Sequence, residues 1–196
     1  MSIAKVRISS VLVLLALASH PSDSQADGSF WQVDLAPGSV SAVASVVRGD
    51  LTYGAVYSNT DGSAAAIASV GYAFPLRDWA TVKFGPSLGA TRDEGEPLDD
   101  VEPGLKATVD RYAPTEFGAL YLLAEVNTID RSWFALAQAS FGSEGFSAEI
   151  SRGGSDTYDE ASLAFNKRIE EAPLSLRAGY RFFAREVFVG FSVNTF

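Results

Sequence analysis

Over most of its length the chain alternates apolar and polar residues with a period of two, and the polar side of that alternation carries charge. Near the C-terminus Val187, Val189, Phe191 and Val193 alternate with Phe188, Gly190, Ser192 and Asn194, and a strand places two such sets on opposite faces. Upstream, Leu174, Leu176, Ala178, Tyr180 and Phe182 oppose Ser175, Arg177, Gly179, Arg181 and Phe183, while Phe146, Ala148 and Ile150 oppose Ser147, Glu149 and Ser151. The same rule runs through Ala161–Phe165, Trp133–Phe141, Leu120–Val126, Leu105–Val109 and Val82–Ala90. It is looser in the Ala- and Ser-rich stretches Phe30–Ala36, Ser39–Val47, Leu51–Ser58 and Ala64–Phe74.

Residues that tolerate positive φ punctuate these segments: Pro37-Gly38, Gly49-Asp50, Asn59 to Gly62, Arg77-Asp78, Ala113-Pro114, Gly142 to Gly145 and Gly153 to Asp156. Such residues suit tight hairpins, and connections this short exclude the long crossovers of a parallel sheet. The pattern predicts an antiparallel meander of about twelve strands, with ten or eight as alternatives, each near the roughly 9 to 11 residues needed to cross hydrocarbon at a tilt.

Lys83, Lys106, Asp110, Glu125, Glu149, Arg177 and Arg181 all fall mid-strand on the polar face. A soluble sandwich would cover its apolar face with a second layer, and no helical pattern supplies one. In a closed barrel the apolar face meets lipid, every backbone group is paired around the ring, and the charges line a wet lumen. The predicted fold is therefore an all-β, closed, up-and-down antiparallel transmembrane barrel. Trp31, Trp79, Tyr112, Trp133 and Phe183 are expected at strand ends, as interfacial girdles. A soluble barrel holding an apolar ligand would reverse the faces.

The first residues are of another kind. Lys5 and Arg7 precede an apolar run that includes Val11 to Leu15 and Leu17, followed by His20, Pro21, Ser22, Asp23 and the small residues Ser24 and Ala26. The run falls short of the ~20 residues a spanning helix needs and reads as a secretory leader, residues 1–26, cut after Ala26. The barrel domain is then 27–196. With no Cys in the chain, the exported product needs no disulfide and has no lipid-anchoring thiol.

The leader, the dyad repeat and the terminal Phe196 together resemble the Gram-negative outer-membrane β-barrels. The resemblance implies an outer-membrane location, contact with membrane lipid and lipopolysaccharide, and reading of Phe196 by the barrel assembly machinery. Val187, Val189, Phe191 and Val193 stand one residue out of phase with Phe196, whereas Phe188 is in phase with it. A second similarity, to cellulose-biosynthesis barrels of the BcsS type, rests on the hairpin from Glu149 through Gly153, Gly154 and Tyr158 and on Gly179-Tyr180-Arg181. It implies an accessory role in exopolysaccharide export, with export components as partners.

Little in the chain suggests catalysis. Barrel enzymes of the outer membrane resemble one another in using histidine, and the single histidine, His20, lies in the leader. Without His or Cys a transition-metal site is not expected, and no cofactor is implied. Ser140 and Ser147 lack a neutral base. Glu125 and Glu149 could in principle act as a carboxylate pair, but facing Lys83, Lys106, Arg177 and Arg181 they read as ion-pair partners that fill the interior. Gly54, Ser58, Ser69, Gly71, Gly85, Ser87 and Gly89 would leave space for water on the inner side of the early strands.

The segment from Arg92 to Pro103 carries Asp93, Glu94, Glu96, Asp99, Asp100 and Glu102. It is the longest connection, counts to the extracellular side, and could bind a divalent cation weakly, although its spacing is not that of an EF-hand. The Arg48-Gly49-Asp50 triplet counts to the periplasmic side, as a hairpin turn. A net charge of −9, made more acidic by loss of the leader, excludes a nucleic-acid binder. The expectation is a small outer-membrane barrel without enzymatic activity, structural or passing ions and small polar solutes.

Overall fold

The computed structural model describes residues 27–196 except 78, 98, 143, 157, 170 and 171. The leader assigned to residues 1–26 lies outside the described residues, as do Asp78 and Ser143 of two expected turns. Twelve strands follow one another along the chain: β1 (Gly28–Leu35), β2 (Ser39–Arg48), β3 (Leu51–Thr60), β4 (Ser63–Leu76), β5 (Ala80–Arg92), β6 (Glu102–Thr115), β7 (Gly118–Asn127), β8 (Trp133–Phe141), β9 (Phe146–Gly154), β10 (Asp159–Arg168), β11 (Leu174–Arg181) and β12 (Glu186–Asn194). Each pairs with its sequence neighbours, and β1 pairs antiparallel with β12, so the sheet closes on itself as a barrel. Closure leaves no edge strand to expose unpaired backbone.

Register carries the alternation into space. Val189 is 57% exposed and its neighbour in sequence, Phe188, is 2% exposed. Leu176, Ile150, Phe165, Leu105 and Val126 are exposed on the outside, while Arg177, Glu149, Asn166, Thr108 and Ser151 are buried on the inside. A soluble protein with that distribution would present its apolar belt to water. The outward face is therefore the lipid face.

Both termini and the turns after β2, β4, β6, β8 and β10 share one end of the barrel; the turns after β1, β3, β5, β7, β9 and β11 share the other. Trp79, Phe117, Phe141 and Phe146 are exposed near the first end, and Trp133, Phe182 and Phe183 near the second, as girdles require. Trp31 departs from the sequence expectation. It lies in the middle of β1 and is only partly exposed, packed between strand neighbours Val193 and Ala44.

Two local features depart from a plain meander. β4 and β5 lose their regular pairing between Ser69–Ser87 and Tyr72–Phe84, where Gly85 approaches the Val70 carbonyl so closely that a Cβ would overlap it. The connection after β7 contains a single 3-10 turn, Ile129–Arg131, with Asp130 and Arg131 both at positive φ. It is bent back against the inside of the wall.

Candidate functional site: the charged lumen

The inward row of each strand builds the site, and its charges fall into two groups. Along β11, β12 and β1, Arg177 Nε stands 2.8 Å from Asp34 Oδ1, and its Nη2 stands 3.2 Å from Glu149 Oε1 on β9. Gln32 accepts a hydrogen bond from Arg177 at 2.7 Å. Four residues further along β11, Arg181 pairs with Glu186 at 2.8 Å, donates to Ser39 and reaches Ser41 at 3.3 Å. The Phe188 ring lies beneath both guanidinium groups, 5.6 Å from that of Arg177 and 5.4 Å from that of Arg181, a cation–π arrangement in a site nearly free of solvent.

Glycines make this cluster possible. Register places Arg177, Gly190 and Asp34 in one row across β11, β12 and β1, and a Cβ on Gly190 would overlap Asp34 Oδ1 and the Val33 carbonyl. Gly179 similarly lies under the Phe188 ring.

On the opposite wall the pairs are diagonal and wetter. Lys83 on β5 meets Asp110 on β6 at 2.7 Å, and Lys106 on β6 meets Glu125 on β7 at 2.8 Å. The Glu125 side chain is 24% exposed, against 4% for that of Arg177. Lys106 reaches far enough inward that its Nζ is 4.0 Å from where a Gly54 Cβ would be, three strands away on β3. Val56 points inward and is still 36% exposed, so solvent reaches the interior along β3. Above it, Ile129 tucks against Gly89 and Gly104, held by Asn127 Oδ1, which accepts from Ser87 Oγ and the Ile129 N–H, each at 3.0 Å.

All seven charges singled out from the sequence thus face the interior and all are ion-paired: Lys83 with Asp110, Lys106 with Glu125, Arg177 with Glu149, and Arg181 with Glu186. Glu125 and Glu149 answer to different cations and form no carboxylate pair. Sequence reasoning missed Asp34, Glu160 and Glu186. Glu160 is buried, and its carboxylate accepts the backbone N–H groups of Ala161, Phe183 and Ala184, each at 2.9 Å, pinning the β11–β12 turn. Each of the three alternates with an outward apolar neighbour, a signal that selecting mid-strand charges passed over.

The acidic connection is shorter than the sequence suggested, because Glu102 and Pro103 belong to β6, where strand pairing with Gly89 and Leu88 captures them. Asp99 accepts a hydrogen bond from Thr91 at 2.8 Å, and Glu94 folds over Gly62. Among the described residues no three carboxylates converge as metal ligands. Gly49 of the Arg48-Gly49-Asp50 turn donates its N–H to Asp27 at 2.8 Å, at the end that carries the termini. Phe196 stands two residues beyond the end of β12, is exposed, and lays its ring over Gly28.

Solved structures that match this barrel include the KdgM porin, at 8% identity and TM-score 0.52, and the KdgM porin in complex with disordered oligogalacturonate, at 8% identity and TM-score 0.51. Each match covers 85% of this chain and 98% of the other. The chain has the fold of an outer-membrane porin. A closed barrel of this fold, with its apolar belt turned outward, meets its lipid in the outer membrane. No family model and no curated protein matches the chain, so the resemblance to cellulose-biosynthesis barrels gains no support.

Proposed function

We propose that this porin-like barrel passes ions and small polar solutes and has no catalytic activity. The observation that carries the reading is the unevenness of the lumen. The wall from β9 to β1 is filled by the Arg177 and Arg181 clusters. The wall from β3 to β7 is lined by small residues and by two lysine–carboxylate pairs that solvent reaches, which suits an off-centre aqueous path. Glu125 and Glu149, the carboxylates best placed to act as acid and base, are each occupied by a cation.

One of the matched porins is in complex with oligogalacturonate, a polyanion. In this barrel Lys83, Lys106, Arg177 and Arg181 each already hold a carboxylate, which favours small solutes over such a polymer. Reconstitution in planar bilayers tests the reading: discrete conductance steps are expected from folded protein. A folded barrel giving no current above background would leave a structural role.

A further inference from the structure

We infer that the passage is cation-selective, with the preference set by carboxylates in excess of their internal cationic partners; the inference rests on the porin reading above. Inside the barrel, Lys83, Lys106, Arg177 and Arg181 all lie within 3.2 Å of a carboxylate. A paired cation presents a dipole to a passing ion, and its field falls off faster than that of a free charge. No ladder of free cations is left among these four to draw anions through.

The carboxylates are not balanced in the same way. Asp34 and Glu149 share the single guanidinium of Arg177, so that cluster keeps a net negative charge. Glu160 is satisfied by backbone N–H groups rather than by a cation, which adds another.

One mouth has the same sign. At the end away from the termini, the connection after β5 brings Asp93, Glu94, Glu96, Asp99 and Asp100. Neighbouring turns add Asp61, Asp130 and Asp156, against Arg131, Arg185 and Arg92 at the end of β5, and all of these are exposed. At the other end the exposed charges among the described residues balance, Asp50, Glu116 and Glu144 against Arg48, Arg77 and Arg168. A pore with low-dielectric walls, an acidic mouth and an interior with carboxylates in excess concentrates cations and repels anions along its axis. The lysines on the wet wall do not reverse this, because their carboxylates travel with them.

The test is the reversal potential of the reconstituted full-length mature barrel under a KCl gradient. It is read at low and at high salt, for the wild type and for the combined Asp93→Asn, Glu94→Gln, Glu96→Gln and Asp100→Asn variant. These four side chains are exposed and stand outside the strands, and band shift on unboiled gels confirms that the variant folds. The expected potassium-to-chloride permeability ratio is roughly tenfold in dilute salt and falls toward one near 1 M, where the screening length is about 3 Å. The variant should lower the dilute-salt ratio several-fold and keep the high-salt conductance. A conducting barrel with a ratio at or below one, or with a ratio indifferent to salt and to the loop charges, overturns the inference and leaves the porin reading standing. A folded barrel with no conductance removes both.

Discussion

Arg177 on β11 and Asp34 on β1 meet at 2.8 Å across the intervening strand, because the residue between them in register is Gly190. The contact ties the last hairpin to the first strand at the seam where the barrel closes, and it spans nearly the whole folded chain. Both partners are buried, and Glu149 joins from β9. The Nη groups of Arg177 donate to Glu149, and its Nε side faces Asp34 as a charge contact, so one delocalised cation serves two carboxylates.

Replacing Arg177 by Met should therefore cost about 3 to 5 kcal/mol, since Asp34 and Glu149 would remain charged and buried without a cationic partner. Adding Asp34→Asn and Glu149→Gln to the same chain should recover most of the loss. Urea titration of the lipid-folded barrel, followed by tryptophan fluorescence, measures both. If the single variant is as stable as the wild type, the seam does not depend on this ion pair.

Gly190→Val places a branched side chain where the Asp34 carboxylate and the Val33 carbonyl already lie. Overpacking of this kind costs about 1 to 3 kcal/mol, and here it also displaces β1 from β12. The variant should unfold at a lower temperature in a heat-modifiability gel, whereas Gly49→Ala, in an open turn with nothing near its Cβ position, should stay closer to the wild type, losing only what its positive φ of 56° imposes.

Ile150 sits midway along β9, 58% exposed on the outside. Ile150→Arg should destabilise the folded barrel by about 2 to 4 kcal/mol, the range for a basic residue facing the bilayer midplane. Equilibrium unfolding from lipid vesicles checks this, and an undisturbed midpoint would mean that this face does not meet hydrocarbon.

Gly54→Trp should cut single-channel conductance severalfold while leaving the outer face unchanged. The new ring would have to occupy the space into which Lys106 extends and which borders the solvent-reached Val56. Full conductance in a folded variant would place the aqueous path elsewhere in the lumen.

How far the sequence could be read follows from what alternation encodes. Leu176 against Arg177, or Ile150 against Glu149, is a local contrast between neighbours. It assigns each residue to a face, and the acyl or aqueous surroundings of each face follow from the presence of charge. Hairpin turns such as Gly49-Asp50 are equally local, so strand order and antiparallel sense came with them. Trp31 was misplaced because aromatic residues occur on both the rim and the middle of a lipid face, and alternation carries no depth.

The sequence by itself determined the barrel, the side of it that faces lipid, and the inward set of charges. Only the tertiary structure decided which charge holds which. The pairing of Arg177 with Asp34 depends on the register at which β1 meets β12, a contact between the two ends of the folded chain that no neighbouring residues specify. The same holds for the wet and dry sides of the lumen. Their difference arises from where Lys106, Ile129 and Phe188 end once the sheet has curled, and thus from the sum of twelve strand registers rather than from any one segment.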